Sequence, residues 1–166
     1  VLESFPTIAV HPYVRIPKHD GNEAKRKMSI NDAKKIQQIL QSKNLDEAVK
    51  VEMTEKGIAI LLRDPVSFAS GSAELKDKGK EILSDISQII KTNPQLKIRV
   101  EGHTDDVPIN TVRYRSNWEL SSARALSVVQ LLAQKTGINP ANMSAVGYGE
   151  YKPLVPNTTP ENRAKN

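Results

Sequence analysis

The chain has 166 residues, which is enough for one hydrophobic core and predicts a single domain with a tail. It contains no cysteine, so disulfides, thiolate metal sites and cysteine nucleophiles are excluded. The net charge of +5 allows an anionic partner, but aromatic residues make up only 4% of the chain and none interleaves with the basic cluster at residues 25–27. Nucleic-acid binding, which uses such aromatics for stacking, is therefore not expected. No run of eighteen apolar residues, the length that a transmembrane helix needs, is present.

The first part of the chain is predicted to hold a linker, a helix and a β-hairpin. Residues 1–28 contain three prolines and only weak apolar alternation, which is typical of an extended or disordered tether. A helix is expected over residues 29–44, because apolar residues recur there at helical spacing. The alternating residues 49–54 and the apolar run 58–62 predict two antiparallel strands joined by a tight turn.

The second part predicts strands and helices in alternation. A helix is expected after Ser72, where apolar residues share one face, and a strand over residues 96–103. A further helix is expected over residues 122–136, with Ser121 as its N-cap, and the last strand over residues 143–147. The order strand–helix–strand–helix–strand predicts an α+β fold, with one mixed sheet, helices on one face, and an additional helix and linker before it.

Two charged residues form the candidate site. Asp105 follows the strand over residues 96–103, and Arg124 is expected in the first turn of the next helix, beside free N–H groups. A carboxylate accepts from an ammonium, and a guanidinium offers a planar fork to a carboxylate, so together they suit a ligand with an amine and a carboxylate. Two other interpretations stay open: Asp105 caps its own turn, or Arg124 forms an internal salt bridge with it.

Other chemistry has weaker support. His103 lies near Asp105 and Asp106, but a zinc site needs three or four convergent ligands and the two other histidines lie in the predicted linker. His103 is therefore expected to bond to the backbone, and no metal or cofactor is predicted. One of these acids could pair with Glu119 as in a glycoside hydrolase, although nothing in the spacing demands it.

Several separated motifs resemble the OmpA-like peptidoglycan-binding domains. They are Gly-His-Thr-Asp at 102–105, Leu-Ser-x-x-Arg-Ala-x-x-Val at 120–128, Gly-Tyr-Gly at 147–149 and Arg-x-x-Asn at 163–166. The combination of Asp-Val-Pro-Ile at 106–109 with Ser-Asn-Trp-Glu-Leu at 116–120 more specifically resembles the flagellar stator B subunits, of the MotB, MotS and PomB type. The general resemblance covers about residues 66–166, and the family's transmembrane helix is absent from this chain.

The resemblance implies roles for individual residues. Asp105 would hold the free amine, and Arg124 the carboxylate, of a diaminopimelate-type side chain in the peptidoglycan stem peptide. Thr104 and Asn117 match neighbouring motif positions and would supply further hydrogen bonds. Trp118 belongs to the stator-like pattern, and would either line the groove or fill the core beneath the loop.

The resemblance also implies an organisation and a cellular role. Residues 1–28 would be a tether and residues 29–166 the binding domain, with its core over 66–166 and a further strand beyond Asn166. The full-length protein would be a non-catalytic, homodimeric, single-pass membrane protein. Its wall-binding domain would lie outside the cytoplasmic membrane, and its transmembrane part would join the stator A subunit. The alternatives are a wall-anchor domain of an envelope protein unrelated to motility and, with less support, a cell-wall hydrolase.

Overall fold

The computed structural model describes residues 8–10, 13–16, 23–44, 49–54, 57–62, 67–92 and 97–166. Its strands are β1 (Ile8–Val10), β2 (Tyr13–Ile16), β3 (Val49–Thr54), β4 (Gly57–Leu62), β5 (Ile98–Gly102) and β6 (Met143–Gly147). Its helices are α1 (Glu23–Ser42), α2 (Asp77–Ile90), α3 (Asn117–Thr136) and the short α4 (Pro160–Arg163), with a 3-10 turn at Pro140–Asn142. None of the described helices is both long and apolar enough to cross a membrane.

The six strands form one mixed sheet in the order β3-β4-β2-β1-β5-β6. β5 is parallel to both β1 and β6, whereas β2, β3 and β4 pair in antiparallel fashion. The predicted hairpin is β3–β4, whose last pair is Thr54 with Gly57. α1 packs on β3 and α2, and α3 packs on β5, β6 and α2, so the long helices share one face of the sheet. The prediction of an α+β fold with a mixed sheet is confirmed.

The N-terminal part differs in detail from the sequence prediction. Within residues 1–28, the proline-free stretches 8–10 and 13–16 are strands of the sheet, and α1 begins at Glu23 rather than at Ser29. The helix starts earlier because residues 23–28 are all good or acceptable helix formers, which the basic cluster among them had obscured. The rest of the predicted tether lies outside the described residues, and its role as a tether stays a prediction.

The core lies between the helices and the sheet. Fully buried side chains include Ile36 of α1, Ile60 of β4, Ile82 and Ile86 of α2, Val100 of β5 and Val128 of α3. Leu75 is buried too, but it precedes α2, which begins at Asp77 and not directly after Ser72 as predicted. The chain folds back here, and Phe68 and Leu75 pair in an isolated antiparallel bridge. This folded-back loop, residues 67–75, forms one wall of the site.

Candidate functional site

Helix α3 begins earlier than the sequence prediction placed it. Its N-cap is Ser116, whose Oγ accepts a hydrogen bond from the backbone N–H of Glu119 at 3.3 Å. In return, the Glu119 carboxylate accepts from the backbone N–H of Arg115 at 2.7 Å. The pattern resembles a capping box, except that the carboxylate accepts from the residue before the N-cap, and the Ser-x-x-Glu spacing at residues 116–119 was its sequence signal. The prediction of Ser121 as N-cap is wrong, because Ser121 is fully buried inside the helix.

The position of Arg124 changes accordingly. It lies about two turns into α3, so its expected place beside the free N–H groups of the first turn is wrong. The side chain is only 3% exposed, and the folded-back loop holds it. Its Nε donates to the carbonyl of Ser72 at 2.8 Å and its Nη2 to that of Ala69 at 3.3 Å, while the guanidinium lies 5.1 Å from the ring centroid of Phe68. These contacts fix the orientation of the guanidinium plane.

Asp105 lies in the turn that leaves β5. One of its carboxylate oxygens accepts from the backbone N–H of Val107 at 3.0 Å, so the acid does cap its own turn, as one interpretation expected. An ionised carboxylate can accept about four hydrogen bonds, and this turn therefore leaves it able to accept from a ligand as well.

Asn117 and Thr104 shape this turn through protein contacts. Asn117 is buried, and its Nδ2 donates to the Val107 carbonyl at 3.0 Å and to the Glu150 carboxylate at 2.8 Å. Thr104 is also buried, and its Oγ1 donates to the Asp105 carbonyl at 2.9 Å. Their expected hydrogen bonds to a ligand stay a prediction, whereas the contacts described here position the backbone around Asp105.

All four predicted site residues line one cavity of about 380 Å³. The polar residues of its wall are Ser70, Thr104, Asp105, Thr111, Asn117, Arg124, Arg163 and Asn166. The apolar part of the wall comes mainly from Val107, Pro108, Ile109 and Leu120. The size suits a small ligand or one end of a larger one, and the wall carries charges of both signs.

The rim of the cavity is joined to the C-terminal segment by an ion pair. The Nε of Arg163 donates to the Asp106 carboxylate at 2.7 Å. This hydrogen bond lowers the pKa of Asp106 and raises that of Arg163. The buried side chain of Asn166 fastens the same segment, because its Oδ1 accepts from two backbone N–H groups, those of Leu154 and Val155. Sequence reasoning gave neither Arg163 nor Asn166 a role, although the Arg-x-x-Asn motif contains both.

The remaining candidate residues, His103, Glu119 and Trp118, lie outside the cavity wall and contact other parts of the protein. His103 is buried, and its Nδ1 bonds to the carbonyl of Lys152 at 2.7 Å, as expected for a structural histidine. Within the described parts of the chain, no three histidine or carboxylate side chains converge on a possible metal position. Glu119 is used in the helix cap and is not part of the cavity wall. Trp118 does not fill the core, since it is 47% exposed and stacks on Tyr151.

Comparisons with known proteins agree with this architecture. Residues 67–166 match the OmpA family. The chain is 35% identical over 136 residues to motility protein B of Bacillus subtilis, an alignment that covers 82% of this chain and 52% of the relative. The chain thus spans about half the length of that relative.

Solved structures give the same result. A putative MotB-like protein from Desulfovibrio vulgaris superposes with a TM-score of 0.76 at 28% identity, covering 87% of this chain and 91% of that one. The cell wall anchor of the type VI secretion system from Pseudomonas aeruginosa gives 0.68 at 32% identity, covering 79% and 90%. The periplasmic domain of Helicobacter pylori MotB gives 0.61 at 30% identity, covering 72% and 75%. The chain therefore belongs to the OmpA family and, within it, is of the motility protein B type.

Proposed function

We propose that this domain binds peptidoglycan without cleaving it, and that it does so by holding the amine and the carboxylate of a diamino-acid side chain in the stem peptide. The observation that carries the proposal is that Asp105 and Arg124 line the same cavity of about 380 Å³. The two side chains offer complementary partners to the two ends of such a group.

The buried arginine is the more specific of the two contacts. Two backbone carbonyls and the Phe68 ring hold Arg124, so little conformational freedom remains to be lost when a carboxylate binds. A planar guanidinium can bind a carboxylate through two parallel hydrogen bonds, a geometry that lysine cannot provide. Asp105 is partly exposed in the turn after β5, where its carboxylate can accept a hydrogen bond from an ammonium group.

The energetics suit a reversible anchor. A hydrogen bond to a charged group contributes about 1.5–3 kcal/mol, so two such contacts alone give weak binding. Two copies of the domain in a dimer would raise the effective affinity for a polymeric wall, because the second copy binds at a high local concentration. We infer that the protein acts as a homodimer for this reason.

The relationship to motility protein B extends the proposal to the full-length protein. The domain described here would lie on the outer side of the cytoplasmic membrane, as the periplasmic domain of Helicobacter pylori MotB does. A single transmembrane segment beyond this chain would join the stator A subunit, so that wall binding by the domain holds the ion channel of a flagellar stator in place.

A wall anchor unrelated to motility is the second candidate. The similarity to the cell wall anchor of a type VI secretion system supports this candidate, because that protein has the same fold and belongs to a secretion system. The full-length gene distinguishes the two candidates. Restored swimming in a strain that lacks its own stator B subunit supports the motility role, whereas wall retention of the product without restored swimming supports the alternative.

Co-sedimentation with purified diaminopimelate-type peptidoglycan tests the wall-binding proposal. The wild type is expected to pellet with the wall, and Asp105→Asn is expected to stay in solution. Asparagine keeps an oxygen that can accept from the Val107 N–H, so the turn survives while the negative charge is lost. Asp77→Asn is the matched control, since it removes the same charge from an exposed side chain that is not part of the cavity wall.

Three results would contradict the proposal. Equal pelleting of the wild type and Asp105→Asn would place binding elsewhere on the surface. A wild type that stays in solution would remove peptidoglycan as the partner. Release of soluble wall fragments during the incubation would show catalysis in place of simple binding.

A further inference from the structure

Two exposed aromatic side chains follow directly, in the chain, the hydrogen-bonded residues Asn117 and Glu150, and they have no part in the site described above. Trp118, in the first turn of α3, is 47% exposed, and Tyr151, in the loop after β6, is 64% exposed. Their rings stack, with centroids 5.3 Å apart and planes inclined by 25°. We propose that this pair, the aromatic platform, is a stacking site for a sugar ring of the peptidoglycan glycan strand.

The aromatic platform is linked to the cavity wall through Asn117. Asn117 lines the cavity, and its Nδ2 donates to the carboxylate of Glu150 at 2.8 Å. Trp118 directly follows Asn117, and Tyr151 directly follows Glu150. Each aromatic residue is therefore about 3.8 Å along the chain from a member of this hydrogen-bonded pair. We infer that a ligand that leaves the cavity past Asn117 comes within reach of the platform.

The backbone under both rings is held in place. The carbonyl of Trp118 accepts from the Ser121 hydroxyl at 3.1 Å, and the N–H of Tyr151 donates to the carbonyl of Tyr148 at 3.3 Å. The two rings also hold each other through their stacking contact. Aromatic side chains fixed in this way offer a large contact area at a small cost in conformational entropy.

The chemistry of the aromatic platform differs from that of the cavity. A pyranose ring has an apolar face of C–H groups, which packs against an aromatic ring without needing a charged partner. In peptidoglycan, a sugar is joined covalently to the stem peptide. An extended peptide advances about 3.3 Å per residue, so a diamino acid two or three residues from the sugar lies about 7–10 Å from it. The inference rests on the proposed function, because only that ligand joins the two groups.

The exposed area argues against a second protein chain as the occupant. An aromatic side chain buries about 150–250 Å² when it is fully covered, and each of these rings already packs on the other. Two aromatic side chains alone do not supply the roughly 800 Å² per partner of a stable protein interface. One sugar ring, in contrast, matches the size of the platform.

The chain contains a single tryptophan, so intrinsic fluorescence reports on this position alone. The experiment compares two ligands: a diaminopimelate-containing stem peptide, and the same peptide attached to its N-acetylated disaccharide. Calorimetry gives both affinities. We expect both ligands to bind, the disaccharide form roughly 2- to 10-fold more tightly, and only the disaccharide form to shift the Trp118 emission.

Variants complete the test. Trp118→Ala and Tyr151→Ala are expected to lose the gain that the sugar provides while keeping the affinity for the peptide. Leu126→Ala is the matched control, because Leu126 lies on the same helix and is 49% exposed, and it should change neither affinity.

The outcomes separate this inference from the proposed function. Equal affinities for the two ligands with unchanged emission would overturn the aromatic platform and leave the peptide site standing. Binding of neither ligand by the wild type would overturn the proposed function and the platform with it. If Trp118→Ala changes the oligomeric state in analytical ultracentrifugation but not the gain from the sugar, the platform contacts a second copy and the inference is wrong.

Discussion

The junction between the sheet and α3 and the rim of the cavity are built in opposite ways. At the junction, Gly102 of β5 lies directly against the backbone of Ser121, and a Cβ at Gly102 would overlap the Ser121 carbonyl. At the rim, the exposed pair of Asp106 and Arg163 holds two surface segments together. The comparison indicates that the junction determines whether the domain folds, whereas the rim changes the site with little effect on the fold.

The largest effect is expected at the junction. Gly102→Ala should destabilise the domain by more than about 3 kcal/mol, because the added methyl meets backbone atoms that no rotamer change can move. Gly137→Ala is the control. It lies at the C-cap of α3 with a φ of +68° and nothing within 4 Å, so only backbone strain of about 1 kcal/mol is expected. Equal losses of stability in urea unfolding would contradict the distinction.

Arg124 lies in α3, the helix of the junction, and also lines the cavity, so its replacement should affect both folding and binding. Arg124→Met leaves the carbonyls of Ala69 and Ser72 without this donor, at a cost of about 1–3 kcal/mol in the free energy of unfolding, and should abolish wall binding. Arg124→Lys keeps the charge but loses the planar fork, and is expected to bind more weakly than the wild type. Unfolding and co-sedimentation of the same preparations check both effects. Full binding by Arg124→Met would remove this residue from the site.

Asp105→Asn should separate binding from stability. We expect the free energy of unfolding to change by less than about 0.5 kcal/mol, because the turn keeps its acceptor for the Val107 N–H. The affinity for a diaminopimelate-containing peptide should fall roughly 10- to 100-fold, as expected for losing one charged hydrogen bond. Calorimetry and urea unfolding give the two quantities. Unfolding of this variant would show that the charge itself holds the turn.

The smallest effect is expected at the rim, and it depends on pH. The Arg163 hydrogen bond lowers the pKa of Asp106, so the pair stabilises the fold above the ordinary aspartate value of 3.8. That contribution is lost as the pH falls through the lower pKa of the folded state. The stability difference between the wild type and Asp106→Asn should therefore be small at pH 7, smaller in high salt, and smaller again as the pH falls below 3.8. A difference that grows on acidification would contradict this account.

Local patterns in the sequence predicted the regular elements well. β5 and the apolar face of α2 followed from alternation and helical spacing, because each buries one face. β6 was also predicted from alternation, although its residues are only partly buried or exposed. The early start of α3 was predictable too, since the capping pattern at residues 116–119 is present in the sequence. β1 and β2 were not predicted, because strands of three and four residues beside prolines are too short to show a clear alternation.

That the four candidate residues lie together was predictable, but the contacts that hold them in place were not. Motif resemblance brought Asp105, Arg124, Thr104 and Asn117 together, and all four line the cavity. The contacts that hold Arg124 join residues more than fifty positions apart in the chain, which no local pattern encodes. The same is true of the pair formed by Asp106 and Arg163.

The central claim is that the cavity takes a diamino-acid side chain by its two charged ends. Amide and side-chain NMR spectra of the isotope-labelled domain, recorded during titration with a diaminopimelate-containing stem peptide, test it most directly. The account predicts that shifts concentrate at residues 104–107, at Asn117 and at the Arg124 guanidinium, and that they disappear in Asp105→Asn. Shifts centred on another surface, or unchanged shifts in that variant, would contradict it.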